Sequence, residues 1–156
     1  MTYVDVIENE MKLSGDEPAF AGGASDQMIA DFEGVLGVKF PPSYKLFLKK
    51  IGALSFGGDT YYGITKSGLT AKAVPSVLFA TRDARAVGDA DSTMIVVKAS
   101  GYGPIFSIDT SQLSPSGESP IVQTELSFKR DGVKTVLYDS FEAFFCDTVR
   151  TAIAEL

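Results

Sequence analysis

Histidine does not occur anywhere in this 156-residue chain. The commonest general base at neutral pH and the commonest metal ligand are therefore missing. Serine–histidine–aspartate and cysteine–histidine chemistry, histidine metal sites and histidine phosphotransfer go with it. Cysteine occurs once, at Cys146, which excludes an internal disulfide and a cysteine-clustered zinc site. Its place in an apolar helical pattern beside Phe144 and Phe145 predicts a buried, unreactive thiol. No apolar run approaches the roughly 20 residues of a membrane span. A signal peptide is not expected: the first thirteen residues carry Asp5, Glu8 and Glu10 where a basic start and an apolar core are needed. The cytoplasm is the expected compartment. Basic residues are in the minority, 14 Lys and Arg against 20 Asp and Glu, for a net charge of −6. Nucleic acid is then not an expected partner, because binding it requires cations to neutralise phosphates. A basic protein is compatible, since complementary fields speed encounter.

What is present specifies one globular domain over residues 1–156. Hydrophobic content of 45% with 22% charge is ordinary for a folded domain and rules out a disordered chain. Val4, Ile7 and Met11 at helical spacing predict an opening helix over residues 3–13. Residues 14–23, with three glycines and Pro18, read as a loop, a plain connection unless Phe20 docks something.

Residues 25–52 specify local structure most tightly. Ser25 is placed to cap a helix, with Asp26 at its positive end. Met28, Ile29, Phe32, Val35 and Leu36 share one face, Asp31 and Glu33 point away, and Gly37 ends the helix. Pro41 and Pro42 turn the corner into a second helix. Tyr44, Phe47, Leu48 and Ile51 face inward there, with Lys45, Lys49 and Lys50 toward water and Gly52 as the stop. Three lysines on a helical hairpin raise a DNA-binding reading, which the acidic total and the lack of Arg or Asn there oppose.

Short strands follow at residues 54–56 and 60–64 across Gly57-Gly58-Asp59. Ser76 caps a helix over residues 77–86 with Arg82, Asp83 and Arg85 outward. Asp89 and Asp91 have the spacing of a calcium ligand pair, but the distal glutamate of such a loop is missing. Residues 94–99 and 104–108 pair across a Gly101-Tyr102-Gly103 turn, which precedes a strand and so lacks the context of a phosphate loop. Met94-Ile95-Val96-Val97, apolar on both faces, predicts a central strand. Residues 121–125 and 135–138 form another hairpin turning at Arg130-Asp131-Gly132. Asp139 or Ser140 caps a last helix whose stripe of Phe141, Phe144, Phe145, Thr148, Val149, Ala152 and Ile153 reads as core. Hairpins without alternating βα units give an α+β class: an antiparallel, twisted, multi-stranded sheet with the N-terminal helical hairpin and C-terminal helix packed against it.

Phe32-Glu33, Leu36-Gly37, Phe40-Pro41, Ser43-Tyr44-Lys45, Phe47-Leu48 and Gly52 together resemble the SUKH superfamily, which contains yeast cell-wall-assembly regulators and many bacterial immunity proteins. Phe40 stands where leucine is usual. The order continues through Thr81 and Arg85, the strand Ile95 to Val97, the run from Phe106 to Asp109-Thr110-Ser111, Pro120-Ile121-Val122 and Ser140-Phe141-Glu142-Ala143-Phe144-Phe145. The likeness therefore spans nearly the whole chain. That family carries no catalytic motif, so the resemblance implies a fold and a binding role, with no catalytic residue, cofactor or metal expected. It implies an immunity protein that neutralises a cognate bacterial toxin, contact-dependent or secreted and of nuclease or deaminase type, by stoichiometric binding. The alternative is an intracellular regulatory or scaffold protein. The toxin-contacting residues are expected among exposed tyrosines and acids on turns: Asp59, Tyr61, Tyr62, Asp89, Asp91 and Tyr102. A monomer is the expected state, with a dimer as the alternative. A carboxylate enzyme built on Asp109 with Asp83 or Glu125 has no motif to bring the pair together.

Overall fold

A computed structural model describes residues 1–101 and 103–156; the expected contact residue Tyr102 lies outside the described residues. Six helices and seven strands follow in the order α1 (Tyr3–Leu13), β1 (Ala19–Phe20), α2 (Asp26–Leu36), α3 (Pro42–Lys50), β2 (Leu54–Phe56), β3 (Asp59–Tyr61), α4 (Val77–Val87), β4 (Met94–Ala99), β5 (Ile105–Asp109), β6 (Ile121–Thr124), α5 (Phe128–Asp131), β7 (Thr135–Tyr138) and α6 (Phe141–Ala154). The class is α+β, as the hairpins require. The strands form two antiparallel sheets, β1-β2-β3 and β4-β5-β6-β7.

The α2–α3 corner is built by its polar groups as much as by its apolar ones. Ser25 Oγ accepts the Met28 N–H at 3.1 Å, and Gly37 ends α2 in the left-handed conformation. Pro41 stands at the N-cap of α3 and offers no side-chain acceptor. Glu118, from the β5–β6 loop, supplies it instead: its carboxylate accepts the Ser43 N–H at 2.9 Å and the Ser43 hydroxyl at 2.7 Å. An anion at a helix start also suits the dipole. Glu33 does not point away from the core. It is buried, and its carboxylate accepts the Phe40 N–H at 2.7 Å, with Lys45 Nζ at 3.6 Å. A backbone donor buried in the corner needs an acceptor, and that need outweighs the tendency of a lone carboxylate to stay in water. Val35 takes the exposed place instead.

The core lies where α3 and α6 meet. Tyr44, Phe47, Phe141 and Phe145 have ring centroids 4.9–5.9 Å apart in edge and stacked pairs. Val4, Ile7 and Met11 of α1 close this cluster from one side. Gly52 and Gly63 let two backbone segments cross in contact, with the Ile64 N–H on the Gly52 carbonyl; a Cβ on either glycine would collide with backbone.

The strand β4 is buried on both faces, as expected. Ile95 and Val97 enter the main core, and Met94 and Val96 pack with Ala80 and Ala84 of α4. It is nevertheless an edge of its own sheet. A bulge at Val97 breaks its register with β5, and the Val97 carbonyl accepts the Tyr62 N–H at 2.8 Å. That bond joins the two sheets beside β3. On the α4 side, Thr81 Oγ1 accepts the Val96 N–H at 3.0 Å. Arg85, expected outward, turns in and donates to the carbonyls of Leu36 and Met94 at 2.8 and 3.0 Å, tying α2, α4 and β4 together.

Two loops hold short elements too brief to register as periodicity. Residues 19–20 pair with β2 as an edge strand, leaving Phe20 exposed, and the residue 126–133 connection contains the single turn α5 ended by Gly132. Cys146 is half-buried, and burial raises its thiol pKa, away from the reactive thiolate. Among the described residues no helix is long and apolar enough to cross a membrane.

Candidate protein-binding cleft

Two left-handed glycines, Gly57 and Gly58, make the tight turn between β2 and β3. Gly57 sits against α6, where an added Cβ would lie 3.3 Å from the Cβ of Ala152. The turn therefore delivers Asp59, the first residue of β3, to the seam between the sheets. Lys98 of β4 meets it there, Nζ to Oδ1 at 3.2 Å. The same ammonium lies 5.3 Å from the centre of the Tyr61 ring and 5.9 Å from that of Phe106.

This ion pair divides two open depressions of about 460 and 520 Å³. The first runs along α6, whose Asp147, Thr151 and Glu155 form its far wall. Tyr138, the last residue of β7, donates its hydroxyl to Asp147 Oδ2 at 2.6 Å. That bond, with burial and the nearby negative charge, pushes the phenol up to about 12. The second depression is lined by Tyr62, Val74 and the start of the β4–β5 turn at Ser100 and Gly101. Three carboxylates (Asp59, Asp147 and Glu155) therefore face one ammonium, Lys98, in the α6 depression. Nothing in that set pairs a base with a nucleophile. It can attract and orient a cationic surface, and the tyrosines beside it offer broad, part-apolar contact.

The residues singled out from the sequence divide between two places. Asp59 and Tyr62 meet in the cleft. Tyr61 does not reach solvent. It is 1% exposed, its ring packs on Phe144 and Phe145, and its hydroxyl lies 2.6 Å from Thr148 Oγ1. Burial raises its pKa and that of half-buried Tyr62. The exposure expected of Tyr61 fails because strand alternation places it inward between Thr60 and Tyr62. Its role is to floor the cleft beneath Lys98.

Asp89 and Asp91 lie at the opposite end of β4, about 20 Å away by the rise of a six-residue strand. Asp91 is committed inside the molecule. Its carboxylate accepts the Thr93 N–H and hydroxyl at 2.9 and 2.7 Å and pairs with Lys134 at 3.1 Å. Lys134 also reaches Asp109 at 3.3 Å. Asp109 is fully buried and takes further bonds from the Ser111 hydroxyl and N–H and from Gln112. Burial alone would raise the Asp109 pKa; those donors and Lys134 outweigh it and hold the carboxyl below its ordinary value. A buried, saturated carboxylate of this kind secures the β5–β6 loop and has no open position for a substrate.

Lys98, Tyr138, Asp147 and Glu155 were not among the expected contacts. Asp147, Thr151 and Glu155 recur every four residues on the polar side of α6, a stripe that could have been read as one surface. Which neighbour that stripe meets was set only by the β2–β3 turn and β7.

The SUKH_6 family model, described as SMI1-KNR4 cell-wall, matches residues 26–145. Comparison with curated proteins gave no match. The matched span opens at the first residue of α2, takes in both sheets and closes within the aromatic stripe of α6, so Asp147 and Glu155 fall beyond it. With the Glu33-braced corner, the Ser43-Tyr44-Lys45 helix start and the aromatic core on α6 all in place, the chain belongs to the SUKH superfamily, in its SMI1-KNR4 family.

Proposed function

We propose that this chain is an immunity protein that binds a cognate bacterial toxin one to one and holds it inactive in the cytoplasm. The observation that carries the reading is the acidic, tyrosine-flanked cleft at the seam of the sheets, in a protein whose net charge is −6. Toxins that cleave or deaminate nucleic acid need a basic surface for their substrate. An inhibitor presenting Asp59, Asp147 and Glu155 meets that surface with the opposite sign, which speeds association and disfavours neutral bystanders. The half-buried Tyr62 and Tyr138 give the contact its apolar anchors. A protein-sized footprint, about 800 Å² per partner, extends well past the cleft and reaches the β4–β5 turn with Tyr102. Asp89 marks the far limit of such a footprint. The chain has a binding role and no catalysis of its own.

The printed family description, which names the cell wall, favours one second reading: a regulatory scaffold of the same fold. The two separate cleanly. Co-expression with the product of the neighbouring gene should rescue growth and yield a stable equimolar complex if the chain is an immunity protein. A chain that neither binds nor neutralises that product is not one.

A further inference from the structure

The outer edge of the four-stranded sheet is β7, and among the described residues no strand pairs with it. Its side chains are unusually bare for a sheet: Val136 is 52% and Leu137 39% exposed, and Val133 just before the strand is 60% exposed. Bare apolar edges are a hazard unless something covers them. The charges around this edge say what fits. The chain enters β7 from α5, which carries exposed Lys129 and Arg130, and leaves it into α6 past exposed Asp139 and Glu142. One end of the edge is therefore basic and the other acidic. An acidic partner is repelled at one end and a basic partner at the other. A surface with the same two ends running in the opposite direction matches both, and that is what a second copy presents after a two-fold rotation. Lys134 is not part of this account, because it is already held by Asp91 and Asp109.

We propose that two copies of this chain associate through their β7 edges about a two-fold axis, with Val136 and Leu137 at the centre and the α5 end of each copy against the α6 start of the other. The register of β7 with β6 skips Leu137, so the strand is bulged there. The bulge shortens any ladder between the copies, and side chains carry most of the contact. A two-fold contact also uses both edges at once and closes, so it does not propagate into a fibre. The inference stands on the edge and its charges and is independent of the toxin reading.

Sedimentation velocity of the full chain from low micromolar to near-millimolar concentration tests it. The expected result is a species of twice the monomer mass that grows with concentration. Leu137→Lys should leave only monomer over the same range, with its circular dichroism and melting temperature unchanged. Inverting the basic end alone, Lys129→Glu with Arg130→Glu, should weaken association by tenfold or more. Adding Asp139→Lys and Glu142→Lys should restore it. A wild-type chain that stays monomeric throughout overturns the proposal. So does dimerisation that survives Leu137→Lys, or a fourfold inversion that associates no better than the twofold one.

Discussion

The α2–α3 corner and the cleft at Asp59 both depend on carboxylates, and they use them in opposite ways. Glu33 is buried with one backbone donor and one lysine beside it, and Glu118 is bonded to the first free N–H of α3. Asp109 follows the same pattern with donors on both oxygens. Each of these groups is spent on the fold. Asp59 and Asp147, by contrast, each have one internal partner and an open side toward solvent. The difference teaches where to look for function in a chain without catalytic residue types. A saturated carboxylate holds structure, and a half-satisfied one at a depression is free to meet a partner.

Substitutions should separate the two regions by the size of their effect on stability. The largest loss belongs to the core beneath the corner: Phe47→Ala should cost about 4 kcal/mol in urea denaturation. Partner binding should then fail only to the extent that the protein unfolds. Next comes Asp109→Asn, which leaves a buried donor cluster and Lys134 without their counter-charge, at about 3 kcal/mol. This group also fixes a pH dependence. Its native pKa lies below the unfolded value near 3.8, so its contribution is complete above that pH and is lost as pH falls through the native value. The acid limb of a stability profile should be shallower in Asp109→Asn than in the parent chain.

Glu33→Ala strands the Phe40 N–H and should cost about 2 kcal/mol. A loss within experimental error would mean that the corner does not rely on that bond. Glu118→Ala removes only a cap and should cost about 1 kcal/mol. At the small end, the combined change Asp59→Asn, Asp147→Asn and Glu155→Gln should leave stability within about 0.5 kcal/mol per site. The same variant should slow association with the toxin about tenfold at low salt, and the slowing should fade as salt is added. Loss of stability in that variant, with an unchanged association rate, would erase the distinction between the two regions.

Much of the corner was legible because its signals are local. Ser25 and Gly37 bracket α2, two prolines mark the turn, and the apolar residues of α3 repeat at three and four. Glu33 was misread for a physical reason: its place on the helix wheel is polar, and the donor that draws it inward belongs to Phe40, beyond the end of the helix. Arg85 was misread likewise, because its acceptors are carbonyls of α2 and β4. The turn α5 was too short to show a period. The cleft was only half legible. Turn chemistry pointed to Asp59 and Tyr62, but the cleft's other wall comes from α6, nearly ninety residues later, and no local pattern joins them. Tyr61 shows the converse, since the same turn that exposes Asp59 fixes the alternation that buries its second neighbour.

The account rests on the cleft being where the partner is held. The direct test is to measure complex formation between the toxin and the charge-reversed chain Asp59→Lys, Asp147→Lys, with folding checked by its melting temperature. Binding weakened by a hundredfold or more in a fully folded variant is the predicted result. A folded variant that binds and neutralises the toxin as the parent does would contradict it and place the interface elsewhere on the molecule.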